Sequence, residues 1–387
     1  LVAGTCNLAT LQRAAKDQLP LDWETGGQGH PQIIGTNKPI DCDRETRHGL
    51  RAPIHFYPMF ENALRARRGL DLESHRAQMG KLMNRFTRVA AENPYAWFPV
   101  ERGVDELTIP SGANRMICFP YTKYLNAVLF INQAAAVLMM SAQAARKLGI
   151  PKGKQIYWWS GTNTEEDPWL VSERPNLADS PSLRRCAEET FARTGTSIAD
   201  MDLIDFYSCF PVAVELAAEA FGVGENDPRG LTVTGGLPYA GGPGNSYTLH
   251  SLATMVSRLR ALQGATGLVT GNGMYLSRHS AVVISTEPRD RSRGDARATV
   301  SSSSKDAIPK IAEEASGQCT IETYTVTYDR SGAPELGIVI GRLDDERRFV
   351  ANTPSDRMLL EDFVSIEEVG RKGRVKHVNG RNLFEPN

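Results

Sequence analysis

Much of what the sequence lacks is informative. Its six cysteines, at 6, 42, 118, 186, 209 and 319, include no Cys-x-x-Cys pair. That excludes a zinc knuckle and a dense disulfide framework, and makes reduced thiols in a cytoplasmic protein the expectation. Neither positive nor negative charge dominates: 44 Lys+Arg against 45 Asp+Glu leave a net charge of −1. Bulk attraction to nucleic acid or to an anionic membrane therefore has no basis. One long uncharged run, 125–145, holds Asn126, Asn132, Gln133, Ser141 and Gln143. It reads as a buried strand and a helix start rather than a membrane span. His30, His48, His55 and His75 have no carboxylate or cysteine at ligand spacing, so no metal site is expected. The opening residues carry no secretory pattern, and Leu1-Val-Ala-Gly4 reads as a strand already under way, as if the chain began inside a fold.

At 387 residues the chain exceeds what one core supports, and two or three packed units are expected. Residues 7–60 are polar and punctuated by glycine and proline, which predicts a long excursion over a surface. Phe60, Leu64, Leu82, Phe86, Val89 and Ala90 then recur at helical spacing across 59–99. Strands are predicted at 156–159, 205–210, 268–270 and 281–284, the last two around a turn at Gly271-Asn-Gly273. Helices are predicted at 141–149, 182–194, 213–221 and 246–262. This alternation means a layered α/β fold. Residues 288–304, charged and then serine-rich, read as a linker. Beyond them, alternation at 319–328, 337–343 and 348–351 predicts a small, mostly β domain. The boundaries so read are 1–148, 149–288, a linker at 289–305, and 306–387.

Four stretches, in order, carry a family resemblance. Glu92-Asn-Pro-Tyr95, behind a long amphipathic helix, resembles the same region of sterol-carrier-type thiolases. Asn126-Ala-Val-Leu-Phe-Ile-Asn-Gln133, continuing to Ser141, resembles the thiolase stretch entering the last strand of the first half. Ile204-Asp-Phe-Tyr-Ser-Cys-Phe210 is similar to the family's His-Asp-Cys-Phe element. Gly235-Gly-Leu-Pro-Tyr-Ala-Gly-Gly-Pro-Gly244 is similar to its glycine loop, which carries Gly-His-Pro. With an added β domain ending Gly380-Arg-Asn-Leu-Phe384, the chain resembles the thiolase-like proteins of type 1, usually labelled acetyl-CoA acetyltransferases. The resemblance implies an α/β chain with the thiolase-like layered α/β/α/β/α fold, its first half incomplete, plus a small C-terminal OB-like domain.

The departures from that family set the chemistry. A thiolase uses a cysteine nucleophile, two histidines and a second cysteine, and its nucleophile loop would precede Leu1. Tyr207 stands where the first histidine belongs, Gly242 where the second belongs, and Thr270 or Gly271 where the second cysteine belongs. Without those imidazoles, ordinary thiolase turnover is not expected. The expected proton carriers are Tyr207, at a strand end, and Tyr275, placed like tyrosines of thiolase-like retro-aldolases. Cys209 falls on the same side as Tyr207 if the strand continues. Gly241, Gly242, Gly244 and Ser246 open a helix whose backbone N–H groups would hold a thioester oxygen. Gly271, and His279 re-entering the pocket for a lost base, complete the substrate-binding set.

The function implied is that of an acyl-CoA-binding protein performing acyl transfer or carbon–carbon bond chemistry. Retro-aldol cleavage of a β-hydroxyacyl-CoA suits such a site, with the coenzyme A thioester as substrate or ligand and no bound cofactor. The rival reading is a non-catalytic CoA-thioester-binding or assembly subunit. The implied partners are the acyl-CoA and either a second copy or a small OB-fold protein. The basic stretch 371–377 reads as a solvated face, because it lacks the interleaved aromatics of a nucleic-acid platform.

Overall fold

The computed structural model describes the chain except residues 24, 25, 28, 31, 33–36, 290–296 and 302–305. The first part contains β1 (Val2–Asn7), α1 (Leu8–Asp17), α2 (Asp43–Arg47), α3 (Pro53–Arg67), α4 (Leu72–Glu92), α5 (Val104–Thr108), β2 (Met116–Cys118) and β3 (Tyr121–Thr122). Then come β4 (Asn132–Val137), α6 (Ala142–Lys147), β5 (Tyr157–Glu165), α7 (Pro181–Thr194), β6 (Leu203–Asp205), α8 (Pro211–Phe221), α9 (Tyr247–Leu259), β7 (Thr266–Gly273) and β8 (Arg278–Ser285). The last part holds β9 (Arg297–Ser301), β10 (Gly317–Tyr328), β11 (Pro334–Leu343), β12 (Arg348–Asn352), α10 (Arg357–Phe363), β13 (Lys372–Val378) and β14 (Arg381–Pro386).

Helix boundaries follow local chemistry. Ser180 caps α7, its Oγ accepting from Leu183 N–H at 3.2 Å; Pro181 opens the helix and Gly195 closes it in the left-handed conformation. α8 is apolar nearly all round, with Val212, Val214, Leu216 and Phe221 buried, so it sits inside the molecule. Its strand neighbours form a five-stranded sheet in the order β6-β7-β8-β5-β9. There β6 runs parallel to β7, β9 runs parallel to β5, and β7-β8-β5 are antiparallel. β1 and β4 pair antiparallel as a separate two-stranded sheet.

The C-terminal strands run in the order β11-β12-β14-β13-β10, and β10 also pairs with β11, which closes the sheet into a small barrel. The hairpin β2–β3 joins the free edge of β10 through Cys118↔Thr327. One face of this sheet has its own core, including Tyr324, Phe349, Phe363 and Phe384. Ile338, Ile340 and Val350 belong instead to the main core, with α3, α4 and α8.

Several expectations fail for physical reasons. Residues 7–60 do not all skirt the surface: Phe56, Tyr57, Met59 and Phe60 on α3 are buried between the barrel and α8. The strand read at 205–210 stops at Asp205, because the Tyr207 N–H donates to Thr270 Oγ1 (2.9 Å) instead of to a ladder carbonyl. Gly271-Asn-Gly273 is no turn. β7 runs through it, with Asn272 opposite His279 and Gly273 opposite Arg278, and the chain reverses at 274–277, where Met274 and Leu276 take positive φ. Of the linker read at 289–305, residues 297–301 form β9; 290–296 and 302–305 lie outside the described residues.

Candidate functional site

β6 ends at Asp205, opposite Val269 of the longer parallel strand β7, and the end of such a strand before a helix is where an α/β sheet places its ligands. Beyond Asp205 the chain turns through 206–210 into α8. The Asp205 carboxylate accepts from Thr232 Oγ1 (3.0 Å) and Val233 N–H (2.8 Å), fixing the approach to the glycine loop. Ser208 Oγ accepts from Leu237 N–H at 3.3 Å, and Ala127 N–H donates to the Cys209 carbonyl at 3.0 Å. Val128 then bridges to the loop, donating to the Leu237 carbonyl (3.3 Å) and accepting from Gly242 N–H (2.9 Å). Turn, glycine loop and 126–131 are thereby laced into one unit.

Tyr207 is half-buried in this unit, its ring edge-on to Tyr247 at 5.4 Å. No described residue hydrogen-bonds its hydroxyl. Burial, with Cys209 and Tyr247 adding to it, pushes the phenol far above its ordinary range, so it stays a neutral O–H donor. Cys209 is buried and its thiol is pushed up to about 12, so it is no thiolate at neutral pH. Tyr247 and Gly241 also line an adjoining cavity of about 750 Å³, bounded by Asn93, Gln133, His250 and Arg258.

The glycine-loop amides are largely occupied, contrary to the expectation that they hold a thioester oxygen. Gly242 N–H goes to Val128, Gly244 N–H to the Gly242 carbonyl (2.7 Å) and Ser246 N–H to the Pro243 carbonyl (3.1 Å). Ser246 Oγ also donates to Pro243, at 2.8 Å. The loop uses these donors to hold its own shape. Gly241, at φ +120°, has no room for a Cβ: one would meet Gln133 Oε1 at 2.7 Å and Ile131 Cδ1 at 2.8 Å. Gly271 is packed in the same way, against Ser280 Oγ at 2.5 Å, and lies within β7.

Two expected residues are held elsewhere. Tyr275 stacks on Phe56, with ring centroids 3.9 Å apart, and burial with Asp41 and Glu45 nearby pushes its phenol up to about 12. His279 is buried on β8, with Nε2 3.2 Å from Ser180 Oγ and 3.9 Å from Glu166 Oε1. It does not re-enter the pocket. Burial, then the Arg174 charge, pulls its imidazole down to about 3. A folded pKa below the unfolded value of ~6.5 means that the unfolded chain binds the extra proton, so stability falls as pH drops from 6.5 towards 3. Going from pH 7 to pH 5 is expected to cost roughly 2 kcal/mol through this residue alone. Urea titrations of the wild type and of His279→Gln check it; equal pH slopes in the two proteins would refute it.

Sequence reasoning missed two residues of the site. Tyr57 reaches in from α3, stacks on Phe210 at 4.3 Å, donates to the Met274 carbonyl (3.2 Å) and accepts from Asn272 Nδ2 (2.9 Å). Asn272 Nδ2 also lies 3.9 Å from Cys209 Sγ. Asn272 was visible as the polar residue between two glycines, but was read as a turn residue. Nothing in the sequence connects Tyr57 to a site some 150 residues away. His75, read as having no carboxylate partner, meets Glu61 at 2.6 Å.

Residues 301–379 match the family described as thiolase-like protein type 1 additional C-terminal domain. The chain is 37% identical to a monomeric SCP2-thiolase like protein type 1 from Mycobacterium smegmatis, with a TM-score of 0.80 over 90% of this chain and 76% of that one. Over 160 residues it is 32% identical to a probable acetyl-CoA acetyltransferase of Escherichia coli (strain K12), which is 39% of this chain and 37% of the relative. Over 136 residues it is 25% identical to the benzoylsuccinyl-CoA thiolase subunit BbsB of Thauera aromatica, 35% of this chain and 33% of the relative. The chain thus matches about a third of the length of these two curated relatives.

Proposed function

The chain belongs to the SCP2-thiolase-like proteins of type 1, and from that membership we propose that it binds an acyl-CoA thioester beside Tyr207 and acts on it by acyl transfer or carbon–carbon bond chemistry. The carrying observation is the Tyr207 hydroxyl: half-buried in the turn between β6 and α8, neutral, and without a described hydrogen-bond partner. Such a donor suits a thioester or enolate oxygen. The adjoining cavity has the size of a small-molecule site and shares Tyr247 with this group. A thiolase-type acyl-enzyme finds no support at Cys209, whose thiol is held protonated. Cleavage of a β-hydroxyacyl-CoA needs no such intermediate.

A second reading, a CoA-thioester-binding or assembly subunit without turnover, is favoured by the same raised thiol and by Tyr207 and Gly242 in the places of the histidines. A homodimer or a small OB-fold partner protein fits either reading. A cytoplasmic setting in lipid metabolism is proposed on the free cysteines and the acyl-CoA ligand. No helix among the described residues is long and apolar enough to cross a membrane.

Calorimetry with acetyl-CoA and longer acyl-CoAs tests the binding, and silence at millimolar ligand would remove it. With a β-hydroxyacyl-CoA as substrate, Tyr207→Phe is expected to lower turnover about 10²–10³-fold while affinity and melting temperature stay nearly unchanged. Unchanged turnover in a stable variant would take Tyr207 out of the mechanism. Binding without any turnover by the wild type would select the second reading.

A further inference from the structure

Away from the candidate site, three helices bring Glu61 (α3), His75 (α4) and Glu215 (α8) together in the interior. Glu61 and Glu215 are fully buried, and His75 is 1% exposed. One ligand-competent atom from each lies within 4.8 Å of the others. Glu61 Oε1 is 2.6 Å from His75 Nε2, and its other oxygen accepts from the Tyr121 hydroxyl. Glu215 Oε2 is paired with Arg68 at 2.6 Å, but Glu215 Oε1 is buried without any hydrogen-bond partner, as is His75 Nδ1.

The charges around this cluster do not balance locally. Arg68 divides its guanidinium between Glu215, Glu219 (2.7 Å) and Glu225 (2.8 Å), and Arg67 adds a second cation at Glu219. Glu61 has a histidine and a phenol as its hydrogen-bond partners. Two carboxylates in a dry interior need compensation by positive charge, and here one buried oxygen of Glu215 is left without a donor within the cluster. A shared proton would neutralise the pair without using the imidazole. A nitrogen ligand beside two carboxylates is the donor set of a borderline divalent cation.

We propose that Glu61, His75 and Glu215 form a structural site for a divalent cation of the zinc class. The site would join α3 and α4 to α8, the helix that begins where the Tyr207–Cys209 turn ends. Tyr121, bonded to Glu61, stacks on Phe210 at 5.5 Å, so the cation would brace that turn from beneath. Its place in a closed interior makes the role one of holding helices rather than of activating a substrate.

The test uses the full chain. Elemental analysis after purification in the presence of zinc should find about one zinc per chain. Dialysis against EDTA should lower the melting temperature, and zinc chloride should restore it by about 3 °C at a hundredfold excess over Kd. Magnesium chloride should have no such effect, because it favours an octahedral, largely hydrated oxygen site. X-ray absorption should show one imidazole plus oxygen ligands at about 2.0–2.2 Å. Glu215→Gln keeps the shape and should weaken zinc retention at least ~10-fold. The proposal is overturned by less than about a tenth of an equivalent of zinc with an unchanged melting temperature, which would leave a proton shared by the carboxylates. It is equally overturned by sulfur-ligated or multi-histidine zinc, or by a Glu215→Gln protein that binds as the wild type does. Should Glu215→Gln fail to fold, the wild-type metal content and absorption spectrum still decide.

Discussion

Arg348→Gln is expected to destabilise the protein by about 3 kcal/mol, measured by urea denaturation at neutral pH. Arg348 lies on β12 and is only 1% exposed, with Nε 2.6 Å from Glu322 Oε2. Its two Nη atoms donate to the carbonyls of Ser172 (3.3 Å), Arg174 and Pro175 (3.1 Å), so one guanidinium ties the barrel to the segment before α7. Glutamine removes the charge and cannot reach all of these acceptors, leaving carbonyls short of donors. The loss sits at the lower end of the range for a broken buried pair, because Arg342 stays 2.7 Å from Glu322. Burial alone would raise the Glu322 carboxyl, but Arg348 and Arg342 outweigh it and hold the group below its ordinary range. A depressed folded pKa means that this stabilisation is fully present above about pH 4.5 and fades as pH falls further. The variant should therefore show a shallower acid limb as well. A loss below about 1 kcal/mol would mean that the barrel is held in place by apolar contacts alone.

Gly235→Ala is expected to cost more, about 3–5 kcal/mol, or to abolish accumulation of folded protein. Gly235 has φ +101°, where a side chain is strained, and an added Cβ would lie 2.4–2.6 Å from the Cβ, Cα and N of Ala90. Two of those are helix backbone atoms of α4 and the third is the Cβ fixed to them, so none can rotate out of the way and the glycine loop or the helix would have to move. Overpacking and left-handed strain each cost roughly 1–3 kcal/mol, and both act here. Gly244→Ala is the internal control. It also has positive φ (+55°), but nothing lies within 4 Å of the added Cβ, so only the conformational part, about 1 kcal/mol, should be lost. Equal melting temperatures for the two variants would contradict this account of the loop.

These positions also show what the sequence could reveal. The helices α7 and α9 and the strands β10, β11 and β12 follow their own periodicity, and α8 is a continuous apolar run, so each is located to within a few residues. α3 is only half seen this way: Phe60 and Leu64 fall at helical spacing, but Phe56 to Arg65 are all buried, so no apolar stripe marks a face or the helix start, and its polar residues are matched by remote partners such as Asn62 with the Tyr324 carbonyl. β9 is an edge strand held by backbone pairing to β5, and serine- and arginine-rich sequence gives no alternation to read. In the candidate site, Tyr207 and Cys209 were singled out as lying on a strand entering a helix, and the structure puts both in the turn between β6 and α8. Tyr57 was not, because its place depends on packing across the chain. The glycine loop was recognisable as a shape, but the use of its N–H groups is set by Val128, which no motif includes.

The embrace between α3, the β2–β3 hairpin and β10 has a consequence for how the protein is made. Met59 accepts from Thr323 Oγ1 across 264 positions, Asn62 reaches Tyr324 across 262, and Cys118 pairs with Thr327. A ribosome delivers the early partners of these contacts long before the late ones. Until β10 emerges, α3 must carry its apolar residues and its unmatched Asn62 in water or in provisional company. Closing so large a loop is slow, and exposed apolar surface invites aggregation while it waits. Synthesis from one end thus cannot be assembly from one end: β10 and the barrel it belongs to are the scaffold against which α3 and the β2–β3 hairpin complete their packing.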